Sequence, residues 1–496
     1  MEERKTGVLQ GYEPQQVLTY FEQICSIPHG SGNTAQISNW IVRLAKEQKL
    51  SWEQDEFYNV IVRIPASKGY EALESYMIQG HMDMVAVKTK DCPLNLDTDS
   101  LELEVKDHII SAKGTSLGGD DGIAVAYMLT IMCDASIPHP ALELVFTTDE
   151  EIGLKGISLM DVSSLQSQRL INLDTEDEGV LIAGCAGGIK NVCRIPIERR
   201  ALKTPVYKVT VAGLSGGHSG MEIHKEKGNA NLLMARVLWS LKTEVSIELS
   251  ALYGGEKDNA IPETAWAVFA SSASAETIYN CVKKLEEELH TELAGKDDGV
   301  CLCLEKIDEE DDTWQSALEH GVLTEETFQK LLLCLMMNPN GVQAMSSSIP
   351  GTVETSLNCG IMRLEQESFL VRYAIRSSVK SAKTYLQQRM EAYVRFLGGT
   401  VTTEGDYPPW EYKADSPFRE YVMRLYAQKY KKDMDIQVIH AGLECGYLSE
   451  QLADLDCISI GPDMKHIHTT EETLDIESVK RVWEFLLEIL QDKSTK

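Results

Sequence analysis

No two cysteines in this sequence stand at C-x-x-C spacing, although there are 12 of them. Scattered through apolar runs, they read as buried free thiols of a reducing compartment and not as a disulfide framework, which predicts a cytoplasmic protein. Basic charge is scarce. Lys and Arg number 47 against 76 Asp and Glu, a net charge of −29. Such a surface repels phosphate backbones and anionic lipid, so neither nucleic acid nor membrane is an expected partner. The apolar run 331–337 is far too short to span a bilayer. The charged start Met1-Glu2-Glu3-Arg4-Lys5 leads into no apolar core, so no signal peptide is expected. There is no H-E-x-x-H and no G-x-x-x-x-G-K-[ST], which removes the commonest zinc-protease and nucleotide-hydrolase alternatives.

What is present is an ordinary globular composition, 43% hydrophobic and 25% charged, in 496 residues. That length exceeds one compact core and predicts two or three domains. Helical spacing covers 13–27 and 34–48. Strand signals follow at 60–64, 76–79 and 109–111, then a helix after Asp121, then short apolar runs at 142–147 and 170–173. This alternation predicts an α/β layer fold with a parallel or mixed sheet. Around 199–205 the pattern changes. From there to about 403 a strand–helix–strand–strand–helix–strand order is read twice, the second time without a clear first strand. The acidic run 305–312 between the halves predicts a solvated loop. After Pro408-Pro409 the α/β alternation of the first 200 residues returns, ending in an amphipathic helix over 476–490. The expected organisation is one α/β domain of residues 1–204 and 404–496, interrupted by an α+β insertion over 205–403 with an internal duplication.

One stretch organises the rest: Gly114-Thr115-Ser116-Leu117-Gly118-Gly119-Asp120-Asp121-Gly122. An aspartate at a helix start either caps the helix or ligates a cation. The other strand ends bear on that choice. Gly80-His81-Met82-Asp83 follows one strand, Asp149-Glu150-Glu151 the next, Asp174 a third, and a turn reaching His466 and His468 a fourth. Open α/β sheets bind ligands beyond the carboxyl ends of their strands, so these groups are expected at one edge. Imidazoles and carboxylates together suit two divalent ions, with zinc, manganese or cobalt all satisfied by them. A carboxylate can bridge such a pair, and a further carboxylate is needed to take a proton from water. Spacing alone leaves both His466 and His468 as ligand candidates.

The segments Gly80-His81-Met82-Asp83-Met84-Val85, Leu117-Gly118-Gly119-Asp120-Asp121-Gly122-Ile123, Thr148-Asp149-Glu150-Glu151-Ile152-Gly153, Ile171-Asn172-Leu173-Asp174 and Gly184-Cys185-Ala186-Gly187-Gly188 resemble the dizinc aminopeptidase-like family that includes carnosinases and aminoacylases. So do Ser215-Gly216-Gly217-His218-Ser219-Gly220, Asn259-Ala260-Ile261-Pro262, Arg376-Ser377-Ser378 and His440-Ala441-Gly442-Leu443-Glu444-Cys445-Gly446, in collinear order over nearly the whole chain. The resemblance implies a metal-binding catalytic domain and an inserted lid or dimerisation domain. It implies His81 and Asp174 on one ion, Glu151 and His468 on the other, and Asp120 bridging, with zinc the expected metal. Glu150 is implied as the general base, Asp83 as the residue that orients His81, and His218 as an oxyanion donor. Arg376 is implied to hold a substrate carboxylate, with Asn259 and Glu444 as further substrate contacts. It also implies a cis peptide between Asp120 and Asp121. The expected activity is hydrolysis of unblocked dipeptides, Xaa-His, carnosine-like and broader, by a homodimer whose doubled lid supplies His218 to its own chain. An aminoacylase, a tripeptidase or a non-catalytic peptide-binding protein are the alternatives.

Overall fold

The structure is a computed structural model that describes residues 7–202 and 205–494. The charged start Met1–Lys5 and residues 203–204, at the expected domain boundary, lie outside them. The chain forms two compact units. One comprises Met1–Cys185, Trp410–Val438 and Gly442–Lys496, and the other Ala186–Pro409 and Ile439–Ala441.

The first unit is built on an eight-stranded sheet. Its centre is four parallel strands, in the order Leu142–Thr147, Tyr76–His81, Arg169–Asn172 and Asp456–Ser459. Every residue of the first two is buried, which is why they are mainly apolar without a regular in–out alternation. Val60–Ile64 and Ser51–Gln54 extend one edge antiparallel. The carboxyl ends of the four parallel strands carry His81, the 148–151 turn, Asp174 and the 460–468 turn. The helix Gly119–Cys133 is buried all round through Met132, as expected of a helix without a polar face. It packs close to Tyr76–His81 because residue 80 is glycine. A Cβ there would lie 2.6 Å from Asp121 Oδ2 and 2.7 Å from Ala124 Cβ. The closing helix Ile476–Gln491 is amphipathic, capped by Asp475, and stacks Trp483 on Tyr127. A flanking four-stranded antiparallel sheet pairs Met464–Lys465 with Thr473–Asp475. The 466–472 loop is therefore a hairpin tip of fixed register.

The second unit carries a nine-stranded antiparallel sheet. It runs Cys301–Lys306, Val206–Ala212, Ala265–Ala270, Glu248–Gly254, Val353–Leu364, Ser368–Ser377, Gly187–Pro196 and Thr400–Tyr407, with Gly341–Met345 paired to Val353–Leu364. The duplication is plain in this order. Taken inward from either end, each half is last strand, first strand, third strand, second strand. The helices Ala230–Glu244 and Ala275–Glu292 of one half answer to Glu325–Met337 and Lys380–Phe396 of the other. The missing first strand of the second half is Gly187–Pro196, which precedes the first half in the chain. Its antiparallel pairing to Ser368–Ser377 and Thr400–Tyr407 corrects the boundary, since this unit begins at Ala186 and not at 205, and runs to Pro409 and not to 403. The acidic run is also shorter as a loop than expected, because Lys306 ends one strand and Asp312 starts the helix Asp312–His320. All 12 cysteines are free, most of them buried. No helix among the described residues is long and apolar enough to cross a membrane.

Candidate metal centre

His81 ends its strand 1% exposed. Its Nδ1 lies 2.9 Å from the main-chain oxygen of Asp83. A carbonyl only accepts, so Nδ1 carries a proton, and Nε2 is the ring atom that faces Asp120 Oδ1 at 3.0 Å and Asp174 Oδ1 at 3.7 Å. The same pattern recurs on the other side of Asp120. His468 Nε2 lies 3.2 Å from Asp120 Oδ2 and 2.8 Å from Glu151 Oε1. Asp120 thus offers one oxygen to each of two imidazole–carboxylate sets. His468, not His466, faces the carboxylates.

Imidazole nitrogens and carboxylate oxygens that converge in this way form a cation site, and their chemistry fits two divalent ions. In the protein alone, protons stand in for the cations. Burial works against a charged imidazole at His81, but Asp120, Asp174 and Asp83 outweigh it and push the group well above its ordinary range. Burial likewise opposes charge at the partly exposed His468, yet Asp120 and Glu151 push it up to about 11. Burial would raise Asp120, but its hydrogen bonds to the two imidazoles hold it below the usual carboxylate range. Asp174 is pushed up by burial, to about 6.

Glu150 and Glu151 follow the strand Leu142–Thr147 in a tight turn, closed by the amides of Gly153 and Leu154 on the Glu150 carbonyl. Asp83 anchors this turn. Its Oδ1 accepts from the Glu150 amide at 3.0 Å and its Oδ2 from the Glu151 amide at 3.3 Å and from Ser31 Oγ at 2.8 Å. Its main-chain oxygen, and not its carboxylate at 3.6 Å, makes the shorter contact to His81. Burial drives Glu150 well above the carboxylate range, and Asp174, Glu151 and Glu444 add to that drive against His81. Glu444 is 0% exposed. Its Oε2 accepts from Thr147 Oγ1 at 2.6 Å and from Gln79 Nε2. The expected contact with a substrate ammonium finds no exposed atom here, and Glu444 instead braces the ends of two central strands.

The Asp120–Asp121 peptide is cis, as the resemblance implies. The sequence pattern does not single out Asp121, although its Oδ2 accepts from the His81 amide at 3.1 Å and it groups with His81 and Asp174. Nor does it single out Gly32, whose amide donates to Asp149 Oδ1 at 2.7 Å, or Glu472, whose carboxylate accepts from the Gly119 amide at 2.8 Å. A glycine–serine–glycine turn between the first two helices is the one local signal for Gly32. An acid four residues beyond His468 is the signal for Glu472.

The second unit holds the opposite chemistry. His218 Nδ1 accepts from the Met221 amide at 3.1 Å, which leaves the proton on Nε2. That nitrogen faces Arg376 NH2 at 3.5 Å, and Arg376 NH1 donates to the Tyr407 hydroxyl at 2.9 Å. Burial, reinforced by Arg376, depresses His218 to about 4, so it is a neutral donor at pH 7. Two donors facing each other with no acceptor between them suit an anion. Gly220 packs within the group, since a Cβ there would lie 3.1 Å from both Arg376 Nε and His218 Cε1. His440 Nε2 lies 2.7 Å from Ser356 Oγ, and burial followed by Arg376 lowers it to about 3. Asn259 is exposed, and its carbonyl accepts from the Ser219 amide at 2.9 Å.

The chain and its fold have known counterparts. The chain is 34% identical to the cytosol non-specific dipeptidase of Escherichia coli (strain K12) over 486 residues, 97% of this chain and 98% of the relative. Its structure is similar to that of the aminoacylhistidine dipeptidase from Vibrio alginolyticus, with a TM-score of 0.88 and 32% identity across 100% of both chains. A tripeptidase from Staphylococcus aureus subsp. aureus Mu50, 15% identical with a TM-score of 0.54 over 97% of this chain and 98% of that one, shares the fold. The sequence model of peptidase family M20/M25/M40 matches residues 77–492, and the chain belongs to that family.

Proposed function

We propose that this chain is a metal-dependent dipeptidase that hydrolyses the peptide bond of unblocked dipeptides, Xaa-His, carnosine-like and broader. The observation that carries the reading is Asp120, with one carboxylate oxygen toward His81 and Asp174 and the other toward His468 and Glu151. His81 and Asp174 would hold one ion, Glu151 and His468 the other, with Asp120 between them. Zinc is the metal we assign, with manganese and cobalt also suited to these ligands. When bound, such a pair polarises a carbonyl and lowers the pKa of a water.

The chain's own groups do the rest. Glu150 takes the proton from the attacking water at its carboxylate and returns it to the leaving amine. Asp83 fixes that base by holding the amides of Glu150 and Glu151. His218 donates from Nε2 to the carbonyl oxygen as negative charge develops on it. Arg376 holds the substrate's carboxylate, a task for a planar bidentate donor, and Asn259 adds a contact. A grip on the free carboxylate fixes how far the chain can extend on the C-terminal side of the scissile bond. We place it in the cytoplasm, as a homodimer in which His218 serves its own chain. Mixing inactive His218→Ala and Glu150→Ala proteins should then restore no activity.

Metal analysis coupled to a substrate panel tests the reading. Two ions per chain and cleavage of dipeptides and carnosine are expected, with N-acetyl amino acids left intact. Cleavage of N-acetyl amino acids in preference to dipeptides would replace it with an aminoacylase.

A further inference from the structure

The helix that follows Asp120 has no cap of its own. Gly118 is left-handed at φ 70, and no side chain of the turn accepts its first amides. The acceptor comes from the far end of the chain. Glu472 Oε2 accepts from the amides of Leu117 at 2.8 Å and Gly118 at 3.1 Å, and Oε1 from the amide of Gly119 at 2.8 Å. The Asp120 amide reaches the same Oε1 at 3.4 Å. Successive amides closing on one carboxylate form an anion-binding nest, here satisfied from within the protein. Glu472 is 4% exposed. A Cβ on residue 119 would stand 3.3 Å from Oε1, so the carboxylate has this place because residue 119 is glycine.

Glu472 is also the last residue of the 466–472 hairpin tip, whose His468 Nε2 faces Asp120 Oδ2 at 3.2 Å. One carboxylate therefore fastens the turn that aims Asp120 to the loop that aims His468. We infer that Glu472 is a positioning residue of the metal centre, fixing Asp120 and His468 relative to each other through the amides of residues 117–120. This rests on the two-ion reading above. Removing the carboxylate frees the turn to rotate, and with it both oxygens of Asp120. Partners that hold metal ligands in place are typically worth about 10–100-fold in metal affinity.

The test titrates metal-free protein with cobalt(II), reading ions bound per chain and the visible absorption of the bound ions. Wild type and Glu471→Gln, a change at the exposed neighbour, should each take two ions with the same spectrum. Glu472→Gln should bind at least one of them about 10–100-fold more weakly, with an altered visible band. A cap that merely stabilised the helix would lower the melting temperature of metal-free protein and leave affinity and spectrum alone. If Glu472→Gln does not fold, Glu472→Asp keeps the charge but shortens its reach and reads the same quantities. Wild-type affinity and spectrum in whichever variant folds would overturn the inference while the two-ion reading stood. A wild-type chain that takes no pair of ions would overturn the two-ion reading, and this inference with it.

Discussion

At the scale of single residues, the proposed function gives Asp120 and Glu150 different jobs, one as the carboxylate between the two ions and the other as the base. Asp120 touches both imidazoles, so its loss removes a ligand from each set. Asp120→Ala is expected to lose bound metal. Glu150 bears on the same cluster but is held by its amide and not through its carboxylate. Glu150→Ala should therefore keep its metal and lose about 10²–10⁴-fold in kcat, the usual worth of a positioned base. Metal content and turnover measured on one preparation check both, and loss of metal from the Glu150 variant would move that residue among the ligands. Arg376 acts at another point. Its Nε is buried without a partner, and His218 and Tyr407 flank its other nitrogens. Arg376→Ala should raise KM for dipeptides with a free carboxylate and leave C-terminally amidated ones nearly unchanged. Equal losses on both would contradict the carboxylate assignment.

At the scale of elements, what is legible in the sequence is whatever has a local cause. The four central parallel strands are short and mainly apolar with their chemistry at or just beyond the last residue, so strand and ligand can be read together. Gly187–Pro196 cannot be read this way. It opens with two glycines, and the partners that make it a strand lie near residues 370 and 400. The duplication is visible but its first strand is out of order, which also misplaces the boundary. Glu472 stands four residues beyond His468, but its role is not legible there, since its amide partners lie more than 350 residues upstream. The glycine at position 80 gives a test at this scale. An alanine Cβ there would meet Asp121 Oδ2 at 2.6 Å and Ala124 Cβ at 2.7 Å, neither of them the free end of a flexible chain. Gly80→Ala should cost about 1–3 kcal/mol by overpacking the helix against its strand. Denaturant unfolding of the metal-free protein measures it, and an unchanged midpoint would mean that the helix can withdraw freely.

At the scale of the molecule, protons and metal ions compete for one negatively charged centre, and that competition fixes how stability depends on pH. Without metal, His81 is raised well above its ordinary value and His468 to about 11. A raised imidazole contributes stability that is complete below about pH 6.5 and lost as pH rises toward the folded value. Asp174, raised to about 6, acts in the same direction at lower pH. The partial exposure of His468 softens its share, because solvent screens the pair. Metal has the opposite slope. The imidazoles must lose the protons that face the carboxylates before they can ligate, so uptake releases protons and tightens as pH rises. Bound ions stabilise the folded chain in proportion to RT ln(1 + [L]/Kd), about 2.7 kcal/mol at 100 times Kd. The difference in Tm between metal-loaded and chelated protein should therefore widen from pH 6 to pH 9. Groups remote from the centre shift both forms alike and cancel in that difference. Calorimetric titration in buffers of unlike ionisation enthalpy should register protons released per ion bound. A Tm difference that narrowed with rising pH, or uptake without proton release, would mean that the two imidazoles are not the groups the metal displaces protons from.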